Sequence, residues 1–161
     1  LLAYVRDKKH LKLWIPVRSK NKTIDPRKLD NTVAGGISSG ENVFNALQRE
    51  AKEEAGIKNS IVKKSKLSGT LSYNWRNNKY SLRRDTLFLF DLEVTKDFIP
   101  INRDGEVKDF KLKRWEEVLD DIKYTNNFKN NCALVIVAFL VRHGFLNPKN
   151  EKDYEQINKF L

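Results

Sequence analysis

Gly35-Gly-Ile-Ser-Ser-Gly-Glu41, the seven residues to Gln48, and then Arg49-Glu-Ala-Lys-Glu-Glu-Ala-Gly-Ile57 form the stretch on which the reading of this chain turns. From Asn42 to Ala55 the apolar residues Val43, Phe44, Leu47 and Ala51 recur at helical spacing, which predicts a helix with one buried stripe. Gly56 follows its last turn, where a left-handed C-cap is expected. On that helix Glu50 and Glu54 are one turn apart and Glu53 is close to both, so the three carboxylates are expected on one side. Like charges crowded this closely cost stability unless a cation sits among them. An oxygen-only donor set suits a hard ion such as Mg²⁺ or Mn²⁺, with water and substrate phosphate completing the shell. Glu41 is placed to join the cluster or to hold Arg49. The glycines are expected to let the backbone turn sharply and present the Ala34 carbonyl as a further ligand.

Composition sets the frame around this stretch. The chain has 161 residues, 31 Lys+Arg against 21 Asp+Glu, a net charge of +10 and 40% apolar residues. That apolar fraction can bury a core and excludes the disordered class. The longest apolar run, Cys132 to Val141, is too short to cross a bilayer. One cysteine and no signal-like start fit a reducing, cytoplasmic setting, and an opening at Leu1 without any Met suggests a domain that continues a longer chain. The surplus of positive charge is uneven: Lys58 to Arg84 holds eight basic residues and no acidic one. Such a face attracts phosphate, whether of a nucleic acid, a membrane surface or a small diphosphate, or is simply solvated.

Along the chain, Leu11–Val17, Ile61–Tyr73, Thr86–Val94 and Val107–Leu112 read as strands, with Asn31–Ala34 a short extended piece and Asn77-Asn78 a hairpin tip. Asp25-Pro26 signals a turn with Asp25 extended. Trp115–Ile122 reads as a short helix, and Asn130 or Asn131 is expected to cap a long one running to Val141. The polar tail from Asn150 is expected to pack weakly. This is one mixed α/β domain spanning residues 1–161.

Seven fixed residues at ordinary usage would match this pattern by chance in about one chain in a million. Gly35, Glu41, Arg49, Glu50, Ala51, Glu53, Glu54, Gly56 and Ile57 match the Nudix box, and the chain resembles the Nudix hydrolase superfamily. The resemblance implies an α/β/α sandwich around a mixed sheet and metal-dependent hydrolysis of a diphosphate linkage. It implies Glu50 and Glu54 as the main metal ligands, Glu53 as a further ligand or general base, Arg49 as the group orienting them, and Ala34 completing the shell. Glu106, in Asp-Gly-Glu-Val before a strand, is a second candidate base.

The flanks are similar to a narrower group associated with, and in fungi fused to, thiamine pyrophosphokinase. The matching segments are Leu13–Ser19, Lys22-Thr23, Pro26, Leu29–Gly36, Arg84–Phe88, Asp91–Glu93, Asp104–Val107 and Asn131–Gly144. Val17 departs from that pattern, where a second Arg is common. This similarity implies thiamine diphosphate or its oxidised derivatives as substrate, cut to the monophosphate. Arg18 and Lys22 are then expected to clamp the phosphates, and Trp75 to supply an aromatic wall. The expected partner is a small-molecule diphosphate; neither nucleic acid nor membrane is expected, and the chain is compatible with a homodimer. Two alternatives stay open: a Nudix pyrophosphatase acting on nucleoside diphosphate derivatives or capped RNA, and a non-catalytic diphosphate-binding module. Isopentenyl diphosphate isomerase, which shares the fold, is set aside because Val33 and Ala34 stand where its catalytic Cys would be. His143 at a helix end and the buried-type Cys132 are expected to be structural.

Overall fold

The computed structural model describes residues 1–7, 10–78 and 81–161. Five strands, β1 (Leu2–Asp7), β2 (His10–Arg18), β3 (Lys66–Asn78), β4 (Ser81–Glu93) and β5 (Val107–Arg114), form one sheet in the order β3-β4-β1-β2-β5. The β1–β4 pair is parallel and the other three pairs are antiparallel, so the sheet is mixed. Among the described residues there are five helices: α1 (Val43–Ala55), α2 (Asn59–Val62), α3 (Trp115–Tyr124), α4 (Asn130–Arg142) and α5 (Tyr154–Lys159).

Strand alternation sorts the sheet's side chains into two cores. Leu2, Tyr4, Leu11, Leu13 and Ile15 face Val118 of α3 and Cys132, Val135, Ile136, Phe139 and Leu140 of α4. Ala3, Val5, Trp14, Phe90 and Leu92 face Leu47, Ala51 and Ala55 of α1 and Val62 of α2. The result is the expected α/β/α sandwich. Helix α1 starts where Asn42 accepts a bond from the Asn45 N–H, 2.8 Å away. It ends as expected at Gly56, which is left-handed (φ 61°), with the Ile57 N–H reaching back to the Ala51 carbonyl at 2.9 Å.

Several local expectations change. Ile61 and Val62, read as strand residues, belong to the short helix α2, and strand β3 starts only at Lys66. The piece Asn31–Ala34 is irregular; the isolated bridges there are from Leu29 to Val17 and Phe128. Asn77 and Asn78 lie within β3, and residues 79 and 80 beyond them fall outside the described residues. Asp25 is left-handed rather than extended (φ 49°). Both Asn130 and Asn131 lie inside α4, whose cap position is Lys129. The tail is anchored more firmly than its composition suggests, since Glu151 is buried and pairs with Lys123 at 2.6 Å.

Phe139 is fully buried, edge-on to Tyr4 and stacked on His143 at 4.1 Å. Replacing it with Ala is expected to cost about 3–5 kcal/mol in urea unfolding, because the cavity opens against a sheet that cannot collapse. The exposed Phe160, changed in the same way, should cost under about 0.5 kcal/mol. Equal costs would contradict this packing.

Candidate active site

The loop 34–41 and helix α1 are bound together through one guanidinium. Arg49 donates to both carboxylate oxygens of Glu41 (3.0 and 3.1 Å), to Glu50 Oε1 (2.7 Å) and to the Gly36 carbonyl (3.1 Å). These bonds hold the Glu41 carboxyl below its usual range, Arg49 being the largest cause and the Ser38 N–H the next. Glu50 in turn lies flat on Gly35: a methyl group there would stand 1.9 Å from the Glu50 carboxyl carbon. Gly35 is thus matched to the approach of a side chain rather than to a turn. The left-handed glycine of this loop is Gly40 (φ 78°).

The three box carboxylates do not converge on one point. Glu54 is buried, and its Oε2 accepts the Ala34 N–H at 2.9 Å. Glu50 is turned to Arg49, and Glu53, 50% exposed, faces outward with Arg49 at 3.5 Å. Among the described residues no three acidic, His or Cys side chains converge tightly enough to hold an ion as they stand. The donor chemistry nevertheless fits a hard cation. Among the described residues Glu54 forms no ion pair, and burial pushes its carboxyl up to about 8, with Asp30, Glu50 and Glu106 adding like charge. A buried carboxylate among carboxylates, all of them oxygen donors, is the environment that a divalent ion relieves.

Glu106 lies on the same side of the sheet as Glu54: both line a small cleft with Pro16, Arg18, Asp30, Asn31, Thr32 and Val107. Lys22 forms an ion pair with Glu106. Beside this cleft opens a much larger one of about 510 Å³, bounded by the loop 33–37, Glu50, the α1 residues Val43, Ala46 and Leu47, strand β4 from Arg83 to Phe90, and Lys129, Asn131 and Val135. Its size is that of an ordinary small-molecule site.

The expected phosphate and ring contacts are placed differently. Arg18 is committed to the protein: it pairs with Asp30 at 2.6 Å and donates to the carbonyls of Ile24 and Asp25. The left-handed turn at Asp25 presents those carbonyls. Lys22 is held by Glu106 rather than lying in the large cleft, and Trp75 lies outside the lining of that cleft, although its register partner Arg83 is part of it. Sequence reasoning passed over Arg83, Arg84, Asp85, Lys129 and Asn131, which do line it. The first two close the basic run Lys58–Arg84, the one available signal. Asp85 accepts from the Tyr73 hydroxyl and pairs with Arg83 at 2.6 Å, and Asn131 donates to the same hydroxyl at 3.1 Å. Cys132 and His143 are structural as expected: the thiol is buried against Asp30, and His143 is bonded to Asp91.

Comparison with known proteins places these features in a family. The chain is 45% identical to "Nudix hydrolase 20, chloroplastic" of Arabidopsis thaliana, over 86% of this chain and 37% of that one. It is 34% identical to the uncharacterized protein YJR142W of Saccharomyces cerevisiae, over 96% and 49% of the two chains. The chain thus spans less than half the length of these curated relatives. Among solved structures, DR0079 from Deinococcus radiodurans is similar, with TM-score 0.58, 25% identity, and 83% and 77% of the two chains covered. The NUDIX domain profile matches residues 2–152, and by that match, the box and the sandwich around it, this chain belongs to the Nudix family.

Proposed function

We propose that the chain hydrolyses the diphosphate linkage of a small molecule with the help of Mg²⁺ or Mn²⁺, and that the substrate is thiamine diphosphate or an oxidised derivative, cut to the monophosphate. The observation that carries the hydrolytic reading is Glu54, a buried carboxylate that forms no ion pair among the described residues, set beside Glu106 in the small cleft, while Glu50 lines the larger cleft next to it. Glu50, Glu54 and the Ala34 carbonyl would hold the ion, with Glu53 an outer ligand. When bound, it neutralises diphosphate charge as the bridging bond breaks. Arg49 keeps Glu50 close to the loop. Glu106 or Glu53 serves as the base, and Glu106 is favoured by its place in the small cleft with Glu54.

The substrate reading rests on the charges of the large cleft. Arg83, Arg84 and Lys129 oppose a diphosphate in the place expected of Arg18 and Lys22. Asp85, ordered by Tyr73 and paired with Arg83, offers its remaining carboxylate oxygen to a cationic aromatic ring. Chelation should abolish activity and Mg²⁺ or Mn²⁺ should restore it, while Glu54→Gln should lower kcat/KM by about 10²-fold or more with the fold intact. Wild-type turnover in a folded Glu54→Gln protein would defeat the assignment.

Gly35→Ala should act through Glu50 alone, since the new methyl group displaces that carboxylate and little else. Mn²⁺ affinity, read by titration, is expected to fall by about tenfold while the melting temperature barely moves; unchanged affinity would remove Glu50 from the ion site. For the substrate, kcat/KM is compared for oxidised thiamine diphosphate, thiamine diphosphate, ADP-ribose and capped RNA. A thiamine compound should lead, with the two thiamine compounds separated by only about 1–3 kcal/mol. A hundredfold preference for ADP-ribose or capped RNA would leave only the general hydrolase reading.

A further inference from the structure

Asn31 is the residue that joins the two clefts, since it lines both the small one beside Glu54 and Glu106 and the large one beside Glu50. It is 7% exposed, and its side-chain Oδ1 is buried without a hydrogen-bond partner among the described residues. An orphaned buried acceptor forfeits its hydration without replacement, so a folded chain that keeps one needs a donor there in its working state.

The neighbours narrow down which donor. Arg18 is used by Asp30 and two carbonyls. Asp30 is used by Arg18, by the Asn31 N–H and by the Cys132 thiol. The Thr32 hydroxyl donates to the Trp14 carbonyl and accepts the Ala3 N–H. Of the side-chain acceptors lining the small cleft, Asn31 Oδ1 and the second oxygens of Glu54 and Glu106 are unbonded among the described residues, and neither the spare N–H groups of Arg18 nor any other side-chain donor there is bonded to Asn31 Oδ1. A phosphate oxygen is also an acceptor, so it does not satisfy Asn31 Oδ1. A water does, and the cleft's volume of about 10 Å³ has room for a single one.

We propose that Asn31 is a catalytic residue that holds the attacking water through Oδ1; this rests on the hydrolytic function proposed above. One water proton stays hydrogen-bonded to Asn31, and the other passes to Glu106. The water oxygen bonds to phosphorus, and the bridging P–O bond breaks, its electron pair leaving with the departing phosphate. Asn31 fixes the direction of attack without itself changing charge, so it acts on turnover rather than on substrate affinity.

The test pairs kinetics with a direct view of the water. Asn31→Leu and Asn31→Ala, which keep no acceptor, should lower kcat by roughly ten- to hundredfold with KM changed less than about threefold, on whichever of thiamine diphosphate and ADP-ribose the wild-type protein hydrolyses. A high-resolution crystal structure of the wild-type protein with Mg²⁺ should show one water within hydrogen-bond distance of both Asn31 Oδ1 and Glu106, and a structure of Asn31→Ala should lack it there. Should the leucine variant fail to fold, the alanine variant and the wild-type water carry the test. Unchanged kcat in a folded variant, a raised KM at unchanged kcat, or no water at Asn31 overturns the proposal while hydrolysis stands. A wild-type chain that cleaves no diphosphate overturns both readings together.

Discussion

The Arg49 guanidinium is the fastening on which the site depends, because it ties Glu41, Gly36 and Glu50 into one unit across the loop and the helix. Without a bound ion, Glu50 would repel Glu54 from one turn away, and the loop 34–41 would have little to hold it against α1. Arg49 answers both problems with a single planar group whose several N–H donors match carboxylate geometry. Lys at this position would supply charge but not four simultaneous bonds in a fixed plane. The approach of Glu50 onto Gly35 then follows, since a carboxylate drawn toward Arg49 at that angle leaves no room for a side chain on the loop.

Around this unit the sandwich has a plain physical logic. Strand β1 is central, and its alternate residues feed both cores, so α1 and α4 are fixed relative to one another through it. The large cleft opens where the loop, β4 and the start of α4 meet, and it therefore takes walls from all three layers. Basic groups from β4 and from the cap position of α4 then stand in the same cleft as Glu50 of α1. No helix among the described residues is long and apolar enough to cross a membrane.

The box helix was legible in the sequence because its apolar period and its Gly56 stop agree, whereas its Asn42 cap emerges from the structure. Strand β1 was not read, since Leu1 to Val5 is apolar without alternation, as befits a central strand buried on both faces. Ile61 and Val62 were misread because β-branched residues favour strands, whereas here Val62 packs under α1 as part of a single helical turn. Arg18 looked available for phosphate only because its partners, Asp30 and the carbonyls of a left-handed turn, come together through tertiary structure. The same holds for Asn31, whose unsatisfied oxygen is a property of its surroundings that no pattern in the chain announces.

The central claim is that this acidic helix face is built for a divalent cation. Thermal unfolding of the wild-type chain against increasing Mn²⁺, with K⁺ at matched ionic strength as control, tests it without presuming any substrate. Binding to the folded state alone raises the melting temperature by mass action, so the account predicts a rise that continues with Mn²⁺ concentration and is absent with K⁺. An unchanged or lower melting temperature in Mn²⁺ would contradict it.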